Sequence, residues 1–329
     1  MDYKLSICIP TYNRSKYLKE LLDDIVNYKN IFFEVVISDN YSSDDTYSLV
    51  KEYSYKYGFI RYIRPLKQLK PELNFRFVAE NAKSEFVWIF GDDDRFESYT
   101  LDYIYNYIYK KPDILILNFS VWDRDLVRNI KNSFYEYKKD LFLNSHNEVW
   151  KKFGLSLGYI SEIVFRKDIL FKLPLVEYEK YLDYGFPFAY AIYYGIINEK
   201  NMIYLSLPLF KNRSGNSGNY NWYKYFVEGP SLIYNDLIKN GYSKYLLKYV
   251  IRKDFKRYVL KKILVDKRDN ILNSSNKKTL LKSYRNDLFL SIIVLFIFLI
   301  PNFVIKFIYI IKKNLVNILK KNGKKENFN

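Results

Sequence analysis

Short apolar stretches alternate with helix-patterned segments along the first 120 residues of the chain. The apolar stretches are rich in β-branched and aromatic residues, a composition typical of buried strands. They cover residues 5–10, 32–38, 60–64, 86–90 and 114–119. Between them, apolar positions recur at helical spacing, as from Tyr17 to about Tyr28. This alternation predicts an α/β fold with a mainly parallel sheet flanked by helices.

Three consecutive acids, Asp92, Asp93 and Asp94, follow the fourth of these strands after a single glycine, Gly91. Adjacent carboxylates repel one another, and at the end of a buried strand they need a compensating cation. An all-oxygen cluster suits Mg²⁺ or Mn²⁺, and these ions usually bind together with phosphates. The acids therefore predict a metal–diphosphate site. The alternative is a solvated acidic turn.

Polar residues also follow the first two strands. Thr11 and Arg14 come after the first strand, and Asp39 and Asn40 come after the second. The carboxyl ends of parallel strands meet at one edge of a sheet, and ligands of such sheets bind there. Because Arg14 stands where a helix begins, it and the backbone N–H groups beside it suit an anion. This convergence favours a binding site over a solvated turn.

The next hundred residues have a weaker pattern. Residues 121–158 are interpreted as a connecting region and residues 160–166 as a strand. Residues 181–197 have the pattern of a buried, aromatic-rich helix with Asp183 near its start. Residues 211–219 predict a mobile Gly/Asn/Ser loop whose Arg213 closes over a phosphate. The alternative for Arg213 is an exposed loop charge.

The C-terminal part combines basic and apolar segments. Residues 231–262 predict an amphipathic helix and residues 263–282 a polar connection. Residues 288–305 are nearly all apolar, and a helix of this length spans roughly 27 Å, marginally enough for a bilayer. Because Pro301 and Asn302 interrupt the segment, which continues to residue 311, a monotopic or re-entrant hairpin fits at least as well as a single span.

The positive charge lies in this same region. Residues 241–329 contain 21 Lys and Arg against 5 Asp and Glu, whereas the first 240 residues contain 32 against 31. Lysines that flank an apolar segment suit an anionic cytoplasmic leaflet and favour membrane attachment over a buried core helix. The same distribution, a neutral body with a basic tail, argues against a nucleic-acid-binding protein.

Cysteine and histidine usage narrows the chemistry further. The single cysteine, Cys8, excludes an intramolecular disulfide and favours a reducing compartment. The single histidine, His146, cannot by itself form a histidine-based zinc site. Since the chain begins Met-Asp-Tyr-Lys and then enters a strand-like segment, no secretory signal is expected.

Taken together, these motifs resemble the family 2 glycosyltransferases of the GT-A (Rossmann-like) fold, and among them the abequosyltransferase-like branch of bacterial surface-polysaccharide enzymes. The matching pieces are residues 6–14 (SICIPTYNR), 36–40 (VISDN) with Ser42 and Asp44, Asn74, and 88–94 (WIFGDDD). They stand in the family's order and spacing across about the first 120 residues. The set is specific for the fold and for nucleotide-sugar binding.

The resemblance implies a role for each matching position. Asp39 would hydrogen-bond the base, and Arg213 and Ser214 would belong to a flexible loop near the diphosphate. The three acids would stand where the family's DXD motif binds ribose and a divalent ion, Mn²⁺ or Mg²⁺. Asp94 would be the foremost metal ligand, with Asp92 as a second. The residues implied to bind the nucleotide sugar are Pro10, Thr11, Tyr12, Arg14, Asp39, Asn40, Asp92, Asp93, Arg213 and Ser214.

The general base is less well defined by the resemblance. Family members are inverting enzymes that use a carboxylate, often within a Glu-Asp pair roughly 80–90 residues after the DXD motif. No such pair occurs at that distance here. Asp183 is the first candidate, with Glu179 and Glu162 as competitors. The alternative for Asp183 is a helix cap.

The expected protein is a membrane-associated inverting glycosyltransferase at the cytoplasmic face of the bacterial inner membrane. Residues 1–225 would form the GT-A domain, with a nucleotide-sugar half (1–120) and an acceptor half (121–225). Residues 226–329 would form a helical, basic region whose segment 288–311 associates with the membrane. The acceptor is expected to be a polyprenyl-linked surface glycan. The alternative is a catalytically inactive nucleotide- or glycan-binding subunit of the same fold.

Overall fold

A computed structural model describes residues 3–28, 32–215 and 221–311 of the chain. The strands among them are β1 (Leu5–Thr11), β2 (Phe33–Asp39), β3 (Ile60–Ile63), β4 (Phe86–Ile89), β5 (Arg95–Phe96), β6 (Ile114–Trp122), β7 (Asn129–Lys131), β8 (Leu141–Leu143), β9 (Ile163–Arg166) and β10 (Met202–Arg213).

Helices fill most of the connections between these strands and most of the C-terminal part that is described. They are α1 (Ser15–Ile25), α2 (Thr46–Lys56), α3 (Pro71–Glu80), α4 (Thr100–Ile108), α5 (His146–Phe153), α6 (Lys167–Phe171), α7 (Leu175–Glu179), α8 (Pro187–Gly195), α9 (Gly229–Lys239), α10 (Lys244–Asp254), α11 (Leu260–Arg268), α12 (Ser274–Tyr284), α13 (Leu288–Leu299) and α14 (Asn302–Ile311).

The strands form one mixed sheet in the order β3-β2-β1-β4-β9-β6-β10-β5, with β7 paired to β6 and β8 to β10. The pairings of β1 with β2 and β4, of β2 with β3, and of β6 with β10 are parallel. Strand β9 is antiparallel to both of its neighbours. The α/β class predicted from the alternating pattern is therefore confirmed, with short antiparallel strands added to the parallel ones.

The register of the first strands explains how the polar residues come together. All seven residues of β1 and of β2 are buried, as their continuous apolar sequences predict for strands covered on both faces. Thr11 pairs with Asp39 at the ends of these strands. On the other side of β1, the N–H of Phe90 donates to the carbonyl of Cys8, which places the acidic residues at the same edge of the sheet.

Several elements of the second half differ from the sequence-based expectation. Residues 121–158 contain two short strands and a helix, and residues 160–162 form a turn of 3₁₀ helix before β9. The predicted helix over residues 181–197 begins only at Pro187, because proline fixes the backbone angle suited to a first helical position. Residues 211–213 belong to β10, so the predicted loop is wrong at these positions; residues 216–219 lie outside the described residues.

The chain divides into two compact units whose boundary is crossed more than once. Unit 1 comprises Met1–Tyr220 and Ile233–Leu247, and unit 2 comprises Asn221–Leu232 and Lys248–Asn329. Sequence reasoning had placed one boundary after residue 225. It had also interpreted residues 263–282 as a polar connection, and this is wrong because α11 and α12 occupy most of that segment.

Unit 2 has an apolar core of its own, to which Phe255, Ile263 and Leu280 belong together with Leu290 and Val294 of α13. The opposite side of α13 is exposed, and its apolar character continues along α14. Within the described residues, no single helix is long and apolar enough to cross a bilayer; α13 and α14 meet that criterion only as a pair bent by 94°.

Candidate active site

The three acids follow β4 in a turn whose tightness explains the glycine before them. A Cβ on Gly91 would lie 3.3 Å from Asp93 Oδ1, Asp94 Oδ2 and Ser161 Oγ, which is closer than most Cβ contacts in proteins. Asp92 and Asp94 are buried, and Asp93 retains a small exposed fraction. The acids are therefore a packed cluster, and the alternative of a solvated turn is wrong.

Thr11 at the end of β1 and Arg14 in the loop after it bind two of the acids. The hydroxyl of Thr11 donates to Asp92 Oδ2 at 2.7 Å. One guanidinium nitrogen of Arg14 lies 3.1 Å from Asp92 Oδ1 and 3.0 Å from Asp93 Oδ2. The structure thus brings together Thr11, Arg14 and the acids, as the sheet-edge argument predicted.

Asp94 is held by a different set of donors. Its Oδ2 accepts from the Ser161 hydroxyl at 2.7 Å, and its Oδ1 accepts from Asn212 Nδ2 and from the backbone N–H of Arg213, both at 3.1 Å. Burial, followed by the charge of Asp93, raises the pKa of Asp94 to about 7, although these hydrogen bonds act in the opposite direction. Burial also raises the pKa of Asp92, to about 6, and Arg14 opposes that shift.

Arg213 lies at the end of β10 and not in a mobile loop. Its buried guanidinium donates to the carbonyl oxygens of Asp93 and Arg124, both at 2.9 Å, and lies 2.6 Å from Glu20 Oε2. Neither the closing loop nor the exposed loop charge predicted for Arg213 is correct. The neighbouring Ser214 donates its backbone N–H to the carbonyl of Trp122 at 2.9 Å, which extends the strand pairing by one residue.

A second group of predicted residues surrounds the end of β2. Asp39 is fully buried; its Oδ1 accepts from the N–H of Ser42 and its Oδ2 from the Tyr62 hydroxyl, both at 2.8 Å. In the structure Asp39 therefore orders the loop that follows it. Its hydrogen bond to the base of a nucleotide stays a prediction.

Asn40 and the residues at the end of β1 complete one wall of the site, which is formed by the ends of β1 and β2. The side chain of Asn40 exchanges two hydrogen bonds of 2.8 Å with the backbone of Leu69, and its N–H donates to the carbonyl of Thr11. Pro10 is buried at the end of β1, whereas Tyr12 is largely exposed at the site. The wall therefore connects β1, β2 and the loop that leads into α3.

The three candidate bases occupy very different environments. Asp183 lies in a turn before α8, its side chain is 65% exposed, and its Oδ1 lies 2.6 Å from Lys70 Nζ. Glu179 is exposed at the end of α7. Glu162 is fully buried and accepts from the Tyr135 hydroxyl at 2.9 Å.

Asp183 is nevertheless tied to the rest of the site. Phe186, and not Asp183, precedes the first turn of α8, so the helix-cap alternative for Asp183 is wrong. Lys70 follows Leu69 directly, and Leu69 is bonded to Asn40. The ion pair with Lys70 therefore links Asp183 to the wall formed by β1 and β2.

Sequence reasoning missed three residues of this site: Ser161, Asn212 and Glu20. Ser161 also accepts a hydrogen bond from the Gly91 N–H at 2.9 Å, so it fixes both ends of the acidic turn. No local pattern marks Ser161 or Glu20, because their partners lie 67 and 193 residues away. Asn212 directly precedes Arg213, which sequence reasoning did select. What the sequence did not indicate is that both residues belong to a strand, β10.

The acids suit part of a divalent-cation site. In the described ranges, no group of three or more His, Cys, Asp or Glu side chains could hold a metal ion by itself. However, the Arg14 guanidinium pairs with two of the three carboxylates, those of Asp92 and Asp93, while Arg213 is paired with Glu20. Burial, and after it the charge of Asp93, raises the pKa of both Asp92 and Asp94, and a bound cation would favour their ionised forms. The carboxylates of Asp92 and Asp94 therefore fit a cation that takes its remaining ligands from a bound molecule.

Known proteins are similar to this chain in sequence and in fold. The model of glycosyl transferase family 2 matches residues 6–173. Abequosyltransferase RfbV of Salmonella typhimurium is 30% identical over 227 residues, which are 64% of this chain and 67% of the relative. The Campylobacter jejuni GalNAc(5)-diNAcBac-PP-undecaprenol beta-1,3-glucosyltransferase is 36% identical over 93 residues, 28% of this chain and 30% of the relative.

Among solved structures, residues 1–349 of Staphylococcus aureus TarS in complex with UDP superpose with a TM-score of 0.65 at 16% identity, covering 87% of this chain and 81% of that one. The fold is thus that of a GT-A glycosyltransferase. The chain belongs to glycosyl transferase family 2. It is a glycosyltransferase.

Proposed function

We propose that the protein transfers a sugar from a nucleoside diphosphate donor to a hydroxyl group of a lipid-linked surface glycan, with inversion at the anomeric carbon. The observation that carries the proposal is the buried acidic cluster at the sheet edge, held by Thr11, Arg14 and Ser161, in a chain of this family. The relative from Campylobacter jejuni is named for an undecaprenol-linked acceptor, which supports the same class of acceptor here.

The donor would lie along the edge formed by β1, β2 and β4. Pro10, Thr11, Tyr12 and Asn40 would line the nucleotide pocket beside Asp39. Exposed Tyr12 offers an aromatic ring, and Arg14 offers a guanidinium beside the acids. An anionic diphosphate would suit this position because Arg14, directly before α1, carries a positive charge there.

Asp94 and Asp92 would hold Mn²⁺ or Mg²⁺, with the diphosphate supplying further oxygen ligands. When bound, such an ion neutralises the charge that develops on the leaving diphosphate. The protein's part is to keep both carboxylates in place. Ser161 and the backbone of Arg213 do this for Asp94, and Thr11 does it for Asp92.

Asp183 is proposed as the general base. The acceptor oxygen forms a bond to the anomeric carbon as the bond from that carbon to the diphosphate oxygen breaks, and the hydroxyl proton passes to the Asp183 carboxylate. Because Asp183 is exposed, an acceptor can reach it, whereas Glu162 is fully buried. Its link through Lys70 to the donor wall distinguishes it from Glu179.

Attachment of unit 2 to an anionic membrane surface is part of the proposal. Large apolar side chains on α13 and α14 are exposed, including Phe296 at 63% and Phe303 at 72%. A contiguous apolar surface of this kind is typical of a membrane or protein interface. The 94° bend and the lysine-rich flanks favour insertion into one leaflet over a span. In this proposal the enzyme would lie at the cytoplasmic face of the bacterial inner membrane, where a lipid-linked acceptor would be available.

A vesicle flotation experiment tests the attachment. The full chain should float with vesicles that contain anionic lipid, and exchanging Phe296 and Phe303 for Glu should abolish flotation. Ile271→Glu is the matched control, because Ile271 is also exposed in unit 2 but lies outside the bent helix pair. Flotation of the double variant at the wild-type level would exclude α13 and α14 as the anchor.

A panel of nucleoside diphosphate sugars tests the activity. Donor hydrolysis and transfer to synthetic polyprenyl-linked saccharides would be measured with and without Mn²⁺. Asp94→Ala should lose at least ~100-fold in turnover with any donor, because it removes the carboxylate that stabilises the leaving group through the ion. Asp102→Ala, on the exposed side of α4, is the control. Absence of turnover in the wild-type protein with every donor would contradict the proposal.

A further inference from the structure

A series of aromatic ring contacts leads from beneath the acidic turn to the surface of unit 1. Phe90 immediately precedes Gly91, and its ring centroid lies 5.5 Å from that of Phe210. Phe210 stacks on Phe119 at 4.9 Å, and Phe119 contacts Tyr159 at 5.8 Å. The first three rings are buried, whereas Tyr159 is 46% exposed. Tyr159 is thus the accessible end of a series of ring contacts that begins beneath the acidic turn.

The backbone around Tyr159 is fixed on both sides. On one side, a Cβ on Gly158 would lie 2.5 Å from the ring of Phe186, so the glycine permits that ring to pack directly against the chain. On the other side, Ser161 bonds to Asp94 and Gly91, and its carbonyl accepts from Trp88 Nε1 at 2.8 Å. Such fixing reduces the entropy lost when a ligand binds.

These two attachments also place Tyr159 between the partners of the proposed reaction. Ser161 leads to Asp94, where the donor diphosphate would bind, and Phe186 is three residues beyond Asp183, the proposed base. The acceptor hydroxyl must lie between the anomeric carbon and the base when it attacks. The sugar ring that carries this hydroxyl therefore falls in the neighbourhood of Tyr159.

The chemistry of an exposed tyrosine suits such a ring. The face of an aromatic ring is electron-rich and attracts the polarised C–H groups on the apolar face of a pyranose. Tyrosine has only two side-chain torsions, so little entropy is lost on stacking. If Tyr159 served only to cover Phe119 and Phe134, burial like that of Tyr135 in the same cluster would be expected; instead almost half of it is exposed.

We infer that Tyr159 is the stacking platform for a pyranose ring of the acceptor glycan. The inference rests on the proposed transfer function and assigns the acceptor side of that site. It makes Tyr159 a determinant of acceptor binding, with no part in donor binding or donor cleavage.

The test compares Tyr159→Leu, Tyr159→Ala and Tyr159→Phe with the full-length wild-type enzyme. Leucine keeps an apolar cover over Phe119 and Phe134 without an aromatic face, so it separates stacking from packing. With a polyprenyl-linked saccharide acceptor, Leu and Ala should raise the acceptor KM at least ~10-fold, in line with aromatic stacking energies, whereas Phe should stay within about 3-fold of wild type. Tyr55→Ala, at an exposed position of α2, is the control.

A second measurement distinguishes the possible failures. Donor hydrolysis without acceptor should be unchanged in the Leu and Phe variants. An unchanged acceptor KM in Tyr159→Leu would overturn the inference while leaving the transfer function in place, and so would a Phe variant as weak as Leu. A parallel fall in donor hydrolysis would indicate a structural role and would also overturn it. Wild-type enzyme that cleaves donors without transfer to any saccharide would contradict the proposed function itself.

Discussion

Lys70 Nζ lies 2.6 Å from Asp183 Oδ1, although 113 residues separate them in the chain. The pair joins the loop before α3 to the turn before α8. Both side chains are more than half exposed, so the pair contributes little to stability, as is usual for surface ion pairs. Its consequence is geometric: Lys70 holds the Asp183 carboxylate beside the loop whose Leu69 is bonded to Asn40.

Lys70→Met should therefore lower activity without lowering stability. We expect kcat for transfer to fall at least ~10-fold because the base loses its orientation, while the thermal midpoint stays within the small range expected for an exposed pair. Lys180→Met is the matched control, since Lys180 forms a similarly exposed pair with Glu177 on α7. Equal kcat values in the two variants would show that Lys70 does not position Asp183.

Ser161→Ala should shift the acid limb of the pH–rate profile to higher pH. The Ser161 hydroxyl lowers the pKa of Asp94, so its removal raises that pKa further above its usual range. One lost hydrogen bond corresponds to a shift of about 0.5–1 pH unit. Kinetics at limiting Mn²⁺ measure it. Ser156→Ala, a buried serine that bonds to Phe153, should leave the limb in place; a shift to lower pH in Ser161→Ala would contradict the account.

Asp94→Asn should change the pH dependence of stability. The pKa of Asp94 is raised to about 7 in the folded protein, from 3.8, so the folded state binds the extra proton and wild-type stability declines as pH rises through this range. The variant lacks this loss and should gain on the order of 1 kcal/mol or more relative to wild type between pH 5 and pH 8. Thermal unfolding measures it.

Mn²⁺ provides the control for the same experiment. Added at pH 8, it should raise the unfolding midpoint of the wild type more than that of Asp94→Asn, because the ion binds the ionised carboxylate. If the difference in thermal midpoint between wild type and Asp94→Asn were the same at pH 5 and pH 8 without Mn²⁺, Asp94 would carry no unfavourable charge.

Gly195→Ala should destabilise unit 1 by about 2 kcal/mol or more. A Cβ at Gly195 would meet the carbonyl oxygen of Ile169 and lie 2.7 Å from Ile169 Cγ2, so α8 could no longer pack against α6. Gly58→Ala is the control, since no atom lies within 4 Å of its Cβ position. Denaturant unfolding of both variants checks the difference; similar midpoints would mean that α6 and α8 are packed less closely than described.

The nucleotide-sugar half was predictable because its signals are local. Continuous apolar runs mark β1, β2 and β4, and parallel pairing alone brings Thr11, Asp39 and the acids to one edge. Arg213 was misplaced because its strand is polar at that end. Its pairing with Trp122, 91 residues earlier, overrides the loop-like composition. By contrast, the late start of α8 could have been predicted from Gly185 and Pro187, which are typical of the residues just before and at a helix start. The apolar pattern before them wrongly suggested an earlier start.

The proposed mechanism depends most on Asp183, which the resemblance suggested and which forms an ion pair with Lys70 in the structure. Asp183→Asn keeps the size of the side chain and removes the base. With the donor identified in the nucleotide-sugar panel, the account predicts that donor affinity stays within about 3-fold of wild type while transfer falls at least ~100-fold. Transfer at close to the wild-type rate, with the loss found instead in Glu162→Gln or Glu179→Gln, would contradict it.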